Sequence, residues 1–181
     1  MSELDEAWAF ALAEAEARAR ASGRVDIREY LALRNSNDQK RKFGADWIIK
    51  AFTNAAGEAN RAGAPIQISN TDGHRFKVGS ATMVGRRLTL ENGVRALSIE
   101  VGWPRTPADG FLRGGGLACA NISHLGMKSA GEHLRLLVDR KGKPHWQSKS
   151  DHGEHREIHE ADIKHHLTVL MADSRTPPSR R

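Results

Sequence analysis

One cysteine in 181 residues, Cys119, excludes an internal disulfide and fits a reducing compartment. No apolar run approaches the roughly 20 residues that span a bilayer, so no membrane partner is expected. The N-terminus opens MSELDEAWAF, with Glu3, Asp5 and Glu6 where an export signal carries positive charge. Together these place the chain in the cytoplasm. Aromatic residues make up only 6%, too few for the stacking platform of a single-strand binder, and no RNP1 run is present. HExxH and paired cysteines are also missing, as is a Walker loop. No internal repeat is found. Nothing in these motifs calls for a cofactor.

What is present is a soluble globular composition, 28% charged, in a chain long enough to bury its own core without staples. Net charge is +6, and it is unevenly spread. Residues 1–17 hold five acids and no base, whereas residues 18–50 hold nine bases against four acids. Such a basic concentration attracts phosphate backbones.

Helical spacing governs the first third. Ser2 and Asp5 resemble a capping start for a helix carrying Leu4, Trp8, Leu12, Ala15 and Ala19, which Gly23 stops. Asp26 with Glu29 marks a short second helix to about Arg34. Ser36 with Gln39 marks a third, to about Asn60, with Phe43, Trp47, Ile48, Ala51, Phe52, Ala55 and Ala59 as its apolar stripe.

From Ala64 the period changes to two. PIQISN and HRFKVG read as short strands around a Thr71–Gly73 turn. The strongest hairpin surrounds Asn92-Gly93, read as a type I′ turn pairing Glu91 with Val94, Leu88 with Leu97 and Val84 with Val101. Leu97, Ile99, Val101 and Trp103 alternate on one face. Further strands are expected at Leu117–His124, His133–Val138 and KPHWQSK, then a helix from about Glu154 to Ala172. The fold class is therefore α+β: N-terminal helices, an antiparallel sheet of about seven strands that is either curved and open or a partly closed barrel, and a C-terminal helix. Residues 1–63 read as a helical arm packing on the sheet, 64–172 as the β domain with its closing helix, and 173–181 as a disordered tail, all in one structural domain.

Three places carry candidate chemistry. The histidine-rich run SDHGEHREIHEADIKHH puts His155, His159, Asp162 and His166 on one stripe if the helix has begun by His155. His155 and His159 are the pair that could share a metal, yet no further ligand set accompanies them, so the expected metal is none. The run also borders the apolar side made by Ile163, Leu167 and Leu170, where a histidine packs with one nitrogen satisfied. The loop GWPRTPADGFLR gathers Trp103, Arg105, Asp109, Phe111 and Arg113 at a strand end, with Trp103 able to stack and the arginines able to hold phosphate. A Trp-Pro corner fixed by an Arg–Asp pair is the structural counterpart of that reading. Gly114, Gly115 and Gly116 read as a flexible connection, because a strand rather than a helix follows them.

The sequence thus points to a binding module without catalysis, for nucleic acid or an acidic protein surface. Arg34, Lys40, Arg41 and Lys42 would supply attraction, and Trp103, Arg105 and Arg113 directed contacts. The first rival is a small-molecule or hydrolytic domain with a pocket on the curved sheet, using Arg105, Arg113 and His124. The second is a scaffold that presents its N-terminal helix to a partner groove.

Overall fold

Every segment with a period of two becomes a strand of one sheet. The structure, a computed structural model, describes all residues except 1–9, 12, 16, 19, 24, 111, 113–115, 150–154 and 173–181. The elements are α1 (Val25–Arg61), β1 (Gln67–Val78), β2 (Ala81–Asn92), β3 (Arg95–Trp103), β4 (Ala118–His124), β5 (Met127–Val138), β6 (Pro144–Lys149), β7 (His155–Glu157) and α2 (Glu160–Met171). A single 3-10 turn at Pro107–Asp109 interrupts the β3–β4 connection. No helix among the described residues is long and apolar enough to cross a membrane.

The seven strands run antiparallel in chain order, β1 to β7, and the two ends of that order are edges, so the sheet is open rather than a barrel. The class is α+β, with a long helix before the sheet and a short one after it. Chain contacts divide the protein into two compact units, 1–42 and 43–181. In the first, Leu31 is buried with Ala15 and Ile27 against it. The expected helical positions Leu4, Trp8, Leu12 and Ala19 lie outside the described residues, as does the tail 173–181.

In the second unit the core lies on one face of the sheet. Ala45, Ile48, Ile49, Phe52 and Ala56 of α1 and Ile163, Leu167 and Leu170 of α2 pack on Leu88, Leu90, Leu97, Ile99, Val101, Ala120, Ile122, Leu134 and Leu136. These strand residues fall at every second position, as the pleat requires. Trp146 of β6 is buried there and donates its indole N–H to the Gly44 carbonyl at 2.9 Å. Gly44 permits this approach, since a Cβ would sit 2.6 Å from a Leu136 methyl. The opposite face of the sheet holds a smaller cluster of Phe76, Ala81, Met83 and Cys119.

Five local expectations are corrected. Ser36 opens no new helix, because α1 is continuous from Val25 to Arg61; neither Gly nor Pro interrupts residues 34–38, and Asp38 pairs with Arg41 one turn on. Of the expected stripe, Ile48 and Phe52 are buried and Trp47, Ala51, Ala55 and Ala59 pack against the core, but Phe43 is exposed and Ala45, Ile49 and Ala56 join the buried face. Thr71–Gly73 is a bulge inside β1 rather than a turn, with Gly73 at φ 69° between the register steps at Asp72 and His74.

The hairpin pairs Asn92 with Arg95, Leu90 with Leu97 and Leu88 with Ile99, two positions from the expected register. Its central residues are Gly93 and Val94. Gly93 alone has positive φ, 60°, which is the type II′ pattern with glycine first. A shift of two preserves the buried face.

The last correction concerns the histidines. Residues 155–157 form β7 against β6, and α2 starts only at Glu160. Arg156, exposed, and Ile158, buried, fall on alternate residues of one face, and the Ile158 N–H reaches the Trp146 carbonyl at 2.9 Å. His155 therefore stands on a strand and His159 at the helix start, both exposed, and the proposed four-residue helical stripe does not form.

Candidate functional site

In an antiparallel sheet of consecutive strands, alternate connections emerge at the same end. The β1–β2, β3–β4 and β5–β6 connections share one end here; Arg75 and Lys77 near the end of β1, Arg105 in the β3–β4 connection, and Arg140, Lys141 and Lys143 in the β5–β6 connection are all exposed. Two acids lie in the same connections, Asp109 and Asp139, and both are engaged in holding the backbone.

Asp139 Oδ1 accepts the N–H groups of Lys141 and Lys143, each at 2.8 Å, and the Asp139 carbonyl receives Gly142 N–H at 3.0 Å. Gly142 supplies the left-handed corner, φ 80°. The backbone of the turn that carries Arg140, Lys141 and Lys143 is thereby fixed, and these exposed side chains have no carboxylate partner among the described residues. Asp109 organises the β3–β4 loop in the same way. Its Oδ2 accepts Thr106 N–H and Oγ at 3.0 Å each and Arg105 N–H at 3.2 Å, while Oδ1 pairs with Arg75 at 2.7 Å. The Thr106 N–H, with the other donors, holds the Asp109 carboxyl below the usual aspartate range against the opposing effect of burial.

Trp103 is buried in the core at the end of β3, and the Arg105 guanidinium lies 4.0 Å from the centre of its ring. The indole thus orients Arg105 rather than offering an open stacking face. The Trp-Pro corner is fixed by Asp109, whose ion-pair partner is Arg75 from β1. Arg113 and Phe111 lie outside the described residues, as do Gly114 and Gly115. Along α1, Arg41 pairs with Asp38 at 2.6 Å, and Arg34, Lys40 and Lys42 are half-buried.

His124 is elsewhere. It pairs with Leu97, whereas Arg105 follows Trp103, six residues further along β3. At about 3.3 Å per residue these positions are roughly 20 Å apart, so His124 and Arg105 do not line one pocket. The cavity beside His124 has a volume of about 10 Å³ and is lined by Arg95, Ala96, Leu125, Met127, Val169 and Leu170. That is the space of about one water molecule.

Below that cavity is a polar network that joins α2 to the sheet. His124 Nε2 and His166 Nδ1 are 3.0 Å apart, and both rings are buried. His166 Nε2 faces Glu132 Oε2 at 3.9 Å, and this buried oxygen has no hydrogen-bond partner. Glu132 Oε1 accepts Arg156 at 2.9 Å, and the other guanidinium nitrogen binds Asp162. Asp162 in turn accepts the His159 N–H at 2.8 Å, closing the first turn of α2.

Burial pulls His124 down to about 4, helped by the positive charge of His166, His165 and Arg95. The neighbouring His166 imidazole, with Arg156, holds the Glu132 carboxyl below its ordinary value despite burial. Burial would raise the Asp162 carboxyl, but the His159 N–H and Arg156 bring it below the ordinary range.

On the face opposite the main core a second polar line crosses the sheet. His74 Nε2 meets Glu100 Oε1 at 2.6 Å, Asn121 Nδ2 donates to Glu100 Oε2 at 3.5 Å, and His133 Nδ1 bonds Asn121 Oδ1 at 2.8 Å. No group of three or more histidine, cysteine or acidic side chains among the described residues is placed to hold a metal ion.

Sequence reasoning named Arg105 and His124 but missed Arg75, Lys77, Arg140, Lys141 and Lys143. The signal for the last three was the run DRKGK, a turn with bases on both sides of its glycine. No family model, curated protein or solved structure matches the chain.

Proposed function

We propose that the chain is a binding module for a polyanionic partner, nucleic acid by default, docking on the sheet end that carries Arg75, Lys77, Arg105, Arg140, Lys141 and Lys143. The observation supporting this is the concentration of exposed bases near one end of the sheet, from β1 and from the β3–β4 and β5–β6 connections, where Asp139 is occupied with the backbone and Asp109 with the backbone and Arg75. Strands lie about 4.8 Å apart, so a row of alternate connections spans several phosphates of an extended backbone. Trp103 beneath Arg105 orients that guanidinium and the Asp139 bonds fix the backbone of the β5–β6 turn, which reduces the ordering entropy lost on binding. Lys40 and Lys42 add longer-range attraction. A cytoplasmic setting accompanies this reading, with Cys119 as a buried, unpaired thiol.

The experiment is fluorescence anisotropy with labelled single-stranded and duplex oligonucleotides across a salt series. The triple variant Arg140→Glu, Lys141→Glu and Lys143→Glu should weaken binding to every sequence. It should also flatten the salt dependence by roughly two to three units of log–log slope, as expected when about three phosphate contacts are lost. Wild-type protein that binds neither oligonucleotide at the lowest salt overturns the proposal.

A further inference from the structure

The histidine pair is the most deeply buried titratable cluster in the second unit, and its position gives it leverage. His124 is the last residue of β4, and His166 lies in the apolar face of α2 between Ile163 and Leu170. Phe52 of α1 packs against the His166 ring, 6.0 Å between centroids. The charged and titratable groups around the pair are Glu132 of β5, Arg156 of β7, Asp162 and His165 of α2, and Arg95 of β3, which donates to the Val169 carbonyl at 3.0 Å.

A neutral imidazole has one N–H and one acceptor nitrogen. Two neutral rings can therefore share one proton between His124 Nε2 and His166 Nδ1. One added proton leaves the contact intact, because one of the two facing nitrogens still accepts, and beyond the pair His166 Nε2 faces a Glu132 carboxylate oxygen at 3.9 Å. A second proton, on His124, makes both facing nitrogens donors, 3.0 Å apart and buried. Two cations then adjoin, and the hydrogen bond is lost.

We propose that the His124–His166 pair is an acid-operated latch on α2, holding the helix against the sheet while the pair carries at most one extra proton and releasing it when His124 takes the second. The direction follows from linkage. Opening α2 exposes His124 to water, where an imidazole titrates near 6.5, whereas in place it is pulled down to about 4. The neutral ring's contribution is complete above the higher value and drains away as pH falls to the lower one. Glu132 and Asp162, both held below their ordinary range, keep their charge through most of this window.

The test is amide hydrogen exchange, corrected for the intrinsic rate, on wild type and on His124→Gln, whose amide can still donate to His166 Nδ1 but does not titrate. In wild type the protection of Ile163, Leu167 and Leu170 should fall on the order of a hundredfold between pH 7 and 4, while Leu88, Leu97 and Leu134 stay protected. The variant should show no such fall. Equal acid sensitivity in both proteins overturns the latch. So does loss of protection throughout the sheet together with α2, or no change in α2 down to pH 4. Should His124→Gln fail to fold, an NMR titration of the wild-type His124 ring replaces it, and a ring that titrates without any change in α2 overturns the proposal equally.

Discussion

Gly85 on β2 and Gly102 on β3 face each other with no space for a side chain between them. A Cβ on Gly85 would stand 1.9 Å from the Val101 carbonyl oxygen, and one on Gly102 would stand 2.9 Å from the Val84 carbonyl. The obstacle is backbone, which cannot rotate aside. Gly85→Ala should therefore destabilise the protein by about 3 kcal/mol, at the upper end of overpacking costs. Urea denaturation checks it; a loss under about 1 kcal/mol would show that the strands can part there. The bare glycine also lets the His74 imidazole of β1 cross β2 and meet Glu100 on β3.

The β2–β3 turn offers a sharper test of register. Gly93 has φ 60°, and a β-branched residue is strained there, so Gly93→Val should cost about 1 kcal/mol or more. Asn92 is the last strand residue, paired with Arg95, and needs no special conformation. Asn92→Ala should therefore change stability by less than about 0.5 kcal/mol. If the two substitutions have equal effects in thermal unfolding, both positions occupy the turn.

How far the sequence could lead is visible in these same residues. The alternation of Leu97, Ile99, Val101 and Trp103 gave the buried face of β3 correctly, because burial on a pleated strand imposes period two. The turn was located, but its register missed by two, since Asn-Gly and Gly-Val corners both preserve that alternation. β7 was hidden because His155–Glu157 holds only three residues, all exposed, and Arg156 pairs with a carboxylate instead of an apolar neighbour. His166 was legible as a histidine beside an apolar stripe. Its partner was not: His124 is 42 positions away, a contact made by the docking of α2 and marked by no local pattern. The basic sheet end was likewise invisible until strand order placed three connections side by side.

Asp109 predicts a pH-dependent loop. Its carboxylate collects the backbone N–H groups of Thr106 and Arg105, and these donors keep it ionised below the usual aspartate range. The order it gives the loop is complete above the ordinary aspartate value and is lost as pH falls through the lowered one. Asp109→Ala should make residues 105–110 exchange and cleave faster at neutral pH. The difference from wild type should vanish in acid, once the wild-type carboxyl is protonated. Unchanged proteolysis at pH 7 would mean that the Trp-Pro corner holds the loop without Asp109.

Arg156 joins two carboxylates that come from different elements, Glu132 of β5 and Asp162 of α2. Replacing it with methionine keeps the stem but leaves Glu132, three-quarters covered, without its cation. Such an orphaned charge costs about 1–3 kcal/mol. Exposure of the guanidinium places Arg156→Met toward the lower part of that range. Lysine can reach one carboxylate but not clamp both, so Arg156→Lys should recover only part of the loss. The pH response separates this from simple packing. In wild type, the stabilisation from Glu132 is present above the ordinary glutamate value and lost as pH falls through its lowered one. In Arg156→Met that acid-labile share should shrink, so the stability difference between the two proteins narrows as pH drops below about 4. Stability curves that stay parallel from pH 7 to 3 would assign Arg156 a packing role alone.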